Sequence, residues 1–109
     1  MILVTVGTHE QPFDRLVGAG QRIARALGEE VVVQGGPSGV PTPDCQRVAF
    51  LHPDALADAI SRARLVITHG GPSTLSEVLD AGTLVAVVPR DPTRGEHLDD
   101  HQLRFAASL

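Results

Sequence analysis

His69, Gly70, Gly71, Pro72, Ser73 and Thr74 stand together between an apolar run and a helix-like repeat. Two adjacent glycines let the backbone bend tightly and leave its N–H groups uncovered. Pro72 suits the first position of a helix, where its missing N–H costs nothing. Ser73 and Thr74 add hydroxyl donors beside the free N–H groups of a first helical turn. A strand–turn–helix corner of this make-up binds anions, and the usual anion is a phosphate. Two plainer readings stand beside it. Many glycine-rich turns bind nothing, and Thr74-Leu75-Ser76-Glu77 also fits a capping box, in which Glu77 only closes the helix end. If Pro72 opens the helix instead, Glu77 lies a turn inside it and is free for a ligand.

A second polar cluster, Glu96-His97-Leu98-Asp99-Asp100-His101-Gln102, packs six polar groups into seven residues. His97 and His101 have the i, i+4 spacing of zinc ligands on one helix face, but neither a cysteine cluster nor a third ligand accompanies them. Without a metal, the segment is a solvated first helical turn with acids placed well for the helix dipole. A third reading is hydrogen bonding to a polyhydroxylated ligand, since carboxylate, amide and imidazole groups suit sugar hydroxyls. A third turn, Gly7-Thr8-His9-Glu10-Gln11, follows the first apolar run.

These groups need a scaffold, and strand-like runs supply it at residues 2–6, 31–33, 47–51, 65–67 and 84–88, mostly apolar, with Arg47 an exception. The first of these runs is of the kind typical of parallel sheets covered on both faces. Between the runs lie helical repeats. Pro12 opens one with Phe13, Leu16, Val17, Ile23 and Leu27 inward, closed by Gly28. Pro53-Asp54 begins a second with Leu56, Ala57 and Ile60 inward, and Leu75, Val78 and Leu79 mark a third that stops at Ala81-Gly82. A last helix holds Leu98, Leu103, Phe105 and Ala106, and is the expected partner surface. Residues 34–44, with three glycines and three prolines, form a long connection suited to a binding loop or a mobile excursion. Alternating strands and helices predict an α/β, Rossmann-like, doubly wound parallel sheet of about five strands. The commonest order, 3-2-1-4-5, puts the turns after strands one and four face to face across one crevice.

Composition sets the outer limits. The chain has 109 residues, read as one domain over 1–109, with 42% hydrophobic residues and three aromatics, all Phe. A net charge of −4 gives no electrostatic case for nucleic acid. Cys45 is the single cysteine, so an intrachain disulfide is impossible and a reducing compartment is expected. The chain opens into a strand without the pattern of a signal peptide. Its longest apolar run falls far short of the roughly 20 residues that span a bilayer.

Three motifs together carry a resemblance. The opening Met1-Ile-Leu-Val-Thr-Val-Gly-Thr-His-Glu-Gln-Pro-Phe-Asp-Arg-Leu16, the corner Thr68-His-Gly-Gly-Pro-Ser-Thr-Leu-Ser-Glu77 and the segment Gly95-Glu-His-Leu-Asp-Asp-His-Gln102 resemble the signatures of the glycosyltransferase family 28 C-terminal domain. That domain is the nucleotide-sugar-binding half of GT-B enzymes. The chain looks most like the catalytic subunits of two-part UDP-sugar transferases, which act on dolichol-linked sugars or make bacterial exopolysaccharide and capsule. Relatives of that kind usually continue further past the histidine–glutamine motif, so a shorter or truncated form is expected here.

The resemblance implies roles. Gly7, Thr8 and His9 would lie at the donor diphosphate. His69, Gly70, Gly71, Ser73 and Thr74 would hold the same diphosphate, with His69 also stabilising the charge that develops there. Glu77 would bind the ribose hydroxyls, Phe50 and Leu51 would line the uracil pocket, and Glu96, His101 and Gln102 would address the sugar or its phosphates. The reaction implied is inverting and needs no metal or other cofactor. It moves a hexose or N-acetylhexosamine from a UDP-sugar to a lipid-linked saccharide, with a membrane-anchored partner subunit supplying the acceptor site. His9 is a candidate general base by its position and ordinary pKa, although diphosphate contact is preferred for it. A cytoplasmic protein, peripheral to the membrane through its partner, is expected. Two rivals are a UDP-sugar-binding subunit without turnover and an NAD-binding enzyme. Against NAD, the first turn is not Gly-x-Gly-x-x-Gly and no clear acid ends strand two.

Overall fold

The computed structural model describes residues 1–7 and 12–89. Along the chain run β1 (Ile2–Thr5), α1 (Asp14–Leu27), β2 (Val31–Gln34), β3 (Gln46–Val48), α2 (Pro53–Arg62), β4 (Leu65–Thr68), α3 (Pro72–Asp80) and β5 (Leu84–Val87). The strands form one sheet in the order β3-β2-β1-β4-β5, and every neighbouring pair is parallel. The winding reverses between β1 and β4, so the crevice expected between their turns is the topological switch point. The last helix expected over 98–106 lies outside the described residues.

Side-chain alternation along the central strands builds two cores. Ile2 and Val4 of β1 join Val31, Val33 and Ile67 under Phe13, Leu16, Val17 and Ala24 from the α1 side. Leu3 and Val66 face the other way, onto Ala59, Ile60, Ala63 and Val78 from α2 and α3. Each fully buried aliphatic side chain of this kind contributes about 1.5–3 kcal/mol. A strand buried on both faces favours apolar residues at successive positions, which is why Ile2, Leu3 and Val4 of β1 read as an unbroken run.

The elements differ from the sequence expectation mainly at their ends and on their flanks. β3 is an edge strand of three residues, so Ala49, Phe50 and Leu51 leave the sheet before α2 begins. β2 runs one residue longer than its valines and takes in Gln34. On α2 the inward face carries Leu56, Ala59 and Ile60, whereas Ala57 is exposed. A helix that starts at Pro53 turns 57 to the flank while 56, 59, 60 and 63 share the face toward the sheet. Leu27 and Leu79, expected inward, are 57% and 60% exposed, one at the last turn of α1 and one on the outer flank of α3.

The connection from 35 to 45 is neither open nor loose. Ser38 Oγ donates to Asp14 Oδ1 at 2.6 Å, and Gln21 of α1 donates from Nε2 to Asp44 Oδ2 at 2.5 Å. The Asp44 N–H returns a bond to Gln21 Oε1 at 3.0 Å. Arg47 on β3 donates to the carbonyl oxygens of Ser38 and Val40. These bonds answer the connection's polar groups and fasten it to α1.

Candidate nucleotide-binding cleft

At their carboxyl ends the strands change character in a single row. The register aligns Val48, Gln34, Thr5, Thr68 and Val87 across the sheet. Gln34, Thr5 and Thr68 in the middle of that row are polar and fully buried. A buried polar group needs a partner. Thr5 donates its hydroxyl to Gln34 Oε1 at 2.7 Å, and Thr68 Oγ1 lies 3.1 Å from His69 Nδ1.

Directly beyond the row the chain turns twice. Gly7 has φ +79° and Gly70 has φ +88°, backbone conformations that favour glycine. The imidazole of His69 occupies the space between the turns and is 7% exposed. A Cβ on Gly7 would come within 2.7 Å of His69 Cε1, and a Cβ on Gly71 would overlap His69 Nε2. Here glycine is required for close approach to the ring as much as for the turn.

Gly71 is the N-cap of α3 and Pro72 its first residue, and no side chain caps this end. The Leu75 N–H bonds the Gly71 carbonyl at 2.9 Å, fixing the helix start. The capping-box reading therefore fails: Thr74 is the third helical residue and Glu77 the sixth, too far inside to close the end. Ser73 and Thr74 sit in the first turn with its free N–H groups, and no acidic residue there offsets the positive end of the dipole. α2 opens toward the same cleft with Pro53 first and no side-chain cap, although Asp54 stands in its first turn.

The resulting cleft has a volume of about 290 Å³. One wall is apolar, formed by Phe50, Leu51, Pro53 and Leu56. The floor and opposite wall are polar, formed by Thr5, Gln34, His69, Ser73, Thr74 and Glu77. Phe50 is 54% exposed and meets His52 edge-on, with ring centroids 5.9 Å apart. This pairing of a flat apolar wall with an anion-seeking helix end suits a molecule that is aromatic at one end and anionic at the other.

Of the residues singled out in the sequence, Gly7, Phe50, Leu51, His69, Gly71, Ser73, Thr74 and Glu77 line this one cleft. Gly70 shapes the turn from behind, where a Cβ would strike Val87 Cγ1. Thr8, His9, Glu96, His101 and Gln102, together with the His97–His101 pair, lie outside the described residues. No residue of the 35–45 connection lines the cleft. Sequence reasoning missed Thr5, Gln34, Pro53 and Leu56 as cleft residues. The available signal was a single polar residue ending each of the strands β1 and β2.

A five-stranded parallel sheet with flanking helices and an anion-seeking corner at its switch point defines an α/β Rossmann-like protein, the fold class of GT-B glycosyltransferases. The glycosyltransferase family 28 C-terminal domain matches over residues 1–109, and the chain belongs to that family. Among solved structures it is similar to the glycotransferase of kitacinnamycin, at 23% identity and TM-score 0.67, over 83% of this chain and 24% of that one. It is also similar to the glycosyltransferase SnogD from Streptomyces nogalater, at 27% identity and TM-score 0.55, over 85% of this chain and 27% of that one. CalG4, the calicheamicin glycosyltransferase, shares the fold at 18% identity and TM-score 0.66, over 94% of this chain and 26% of that one. The chain thus spans about a quarter of the length of these proteins. No curated protein matches it in sequence.

Proposed function

We propose that the chain is the donor-binding, catalytic part of an inverting glycosyltransferase that uses a UDP-sugar. The observation that carries this is the uncapped N-terminus of α3 set against the Gly7 turn, beside an apolar wall. The diphosphate would sit at the first-turn N–H groups of α3 and the hydroxyls of Ser73 and Thr74. The uracil would lie against Phe50 and Leu51, and Glu77 would accept hydrogen bonds from the ribose hydroxyls. The sugar would then extend toward the segment that carries Glu96, His101 and Gln102.

In the reaction the acceptor hydroxyl attacks the anomeric carbon from the face opposite the diphosphate. The bond from that carbon to the diphosphate oxygen breaks, UDP leaves, and the hydroxyl proton passes to a base. Negative charge grows on the diphosphate, where fixed backbone dipoles and His69 stabilise it. This electrostatic role needs no divalent cation. His9 is assigned to the diphosphate, and the base to the acceptor-binding part, a membrane-anchored partner subunit or a further length of chain. A hexose or N-acetylhexosamine moving to a polyprenyl-linked saccharide is the substrate pair that the family resemblance favours. An NAD enzyme is disfavoured by β2, which ends in a buried amide, Gln34, bonded to Thr5 rather than in an acid.

The test is calorimetric titration with UDP, UDP-N-acetylglucosamine, UDP-glucose and NAD, beside the Glu77→Ala variant. UDP compounds are expected to bind, NAD is not, and the variant should lose about 1–3 kcal/mol of affinity. Absence of UDP binding sinks the reading. Binding without transfer, when the partner and a polyprenyl-linked acceptor are present, would make the chain a non-catalytic binding subunit.

A further inference from the structure

The pair Thr5–Gln34 is a buried polar unit to which the roles above give no task. Both side chains line the cleft floor, and Gln34 is 2% exposed. The orientation of the amide follows from its surroundings. One terminal atom of Gln34 faces the carbonyl oxygen of Gly7, an acceptor only, so that atom is Nε2. The other is then Oε1, and Thr5 must donate to it, as the 2.7 Å contact reflects. Thr5 Oγ1 in turn lies 3.4 Å from the Gly7 N–H, which keeps its hydrogen directed at Gln34. Nε2 carries two N–H donors, and its one partner among the described residues, the Gly7 carbonyl, is 3.5 Å away, the long limit for a hydrogen bond. A buried amide with underused donors is costly to keep without an acceptor.

The cleft gives that donor a purpose. No arginine lines it among the described residues, and the chain contains no lysine. Among the described residues, an anion bound there meets neutral donors and helix dipoles instead of side-chain cations. We infer that Gln34 Nε2 donates to a phosphate oxygen of the nucleoside diphosphate from the cleft floor, and that Thr5 is the positioning residue that holds the amide in that orientation. The inference rests on the proposed UDP-sugar site and adds to it a source of donors beside the α3 terminus and the hydroxyls of Ser73 and Thr74.

The experiment is NMR titration of the 109-residue chain with UDP and, separately, with uridine, which lacks the phosphates. Gln34→Glu keeps the acceptor that Thr5 needs and, at pH 8, replaces the donor by a charged oxygen. It should weaken UDP about tenfold or more, the scale of a hydrogen bond to a charged group, and leave uridine nearly unchanged. Thr5→Val should weaken UDP selectively as well, and Thr5→Ser should restore it. If UDP and uridine weaken in parallel, or neither changes, Gln34 is structural and the inference is overturned. If Gln34→Glu does not fold, the Thr5→Val and Thr5→Ser pair decides on the same selectivity. A wild-type chain that binds neither ligand overturns the UDP-sugar site itself, and this inference with it.

Discussion

The two ends of the sheet are built from the same five strands and treat their polar groups in opposite ways. At the amino end the groups answer one another. The Met1 amino group lies 3.4 Å from Glu29, and Arg64 donates to both Glu29 oxygens at 2.7 and 2.9 Å. The Ile2 N–H bonds the Glu30 carbonyl and the Arg64 N–H bonds the Met1 carbonyl, both at 2.9 Å. Gly28, with φ +63°, closes α1 there by returning its N–H to the Ala24 carbonyl. At the carboxyl end α1, α2 and α3 all begin without side-chain caps, and a buried amide keeps underused donors. A fold maximising stability would satisfy both ends. Among the described residues, the donors without a side-chain partner gather at this end, around the cleft, where the proposed ligand would supply acceptors.

That contrast can be broken most severely at Gly71. A Cβ there overlaps the His69 ring, so Gly71→Ala should displace the imidazole and reduce UDP affinity by about 3 kcal/mol or more. Adding His69→Ala should recover part of the loss. A double-mutant cycle measures the coupling, and additive effects would show that the ring and the glycine do not compete for the same space. The apolar wall gives a smaller effect. Phe50→Ala should cost about 0.5–1.5 kcal/mol of nucleotide affinity through lost stacking. Because Phe50 is half exposed, thermal unfolding should barely move. A large fall in Tm would mark Phe50 as core instead.

The smallest effect sharpens the contrast from the other end. The Arg64 guanidinium, bonded to Glu29, holds its carboxyl below the usual carboxylate range, and the Met1 amino group adds to this. A carboxylate with a lowered folded pKa adds stability above its ordinary pKa, and that stability is lost as pH falls through the folded value. Glu29→Gln should therefore flatten slightly the acid-side fall in Tm as the pH drops through and below the ordinary glutamate range. UDP binding at neutral pH should not change. A change in binding would mean that the two ends are coupled.

The strands and the α3 corner were legible because each is written locally, and the strand order because it is the commonest one for such a sheet. Valine and isoleucine runs mark buried parallel strands, and Gly-Gly-Pro marks a turn into a helix whatever surrounds it. The cleft floor was not legible. Gln34 reads as the start of a loop because a polar residue ends an apolar pattern, and its burial depends on Thr5, 29 positions away. The fastening of the 35–45 connection was hidden for the same reason, since Gln21, Asp14 and Arg47 come from other elements. Ala57 and Ala59 have identical side chains, and only the helical phase set by Pro53 distinguishes them.

The strand order also governs when the cleft comes into being. β1 is the centre of the sheet, yet its two neighbours begin at Val31 and Leu65. A refolding chain must close long loops before β1 is covered on both edges, the kind of non-local pairing that folds slowly. Until β4 docks, the Gly7 turn has no His69 beside it and Thr5 has no neighbour on that side. Competence to bind the proposed nucleotide therefore needs both central pairings of β1. If the proposed site is right, recovery of ligand binding during refolding reports the later of these two pairings, and an intermediate that holds only one of them is silent to the nucleotide.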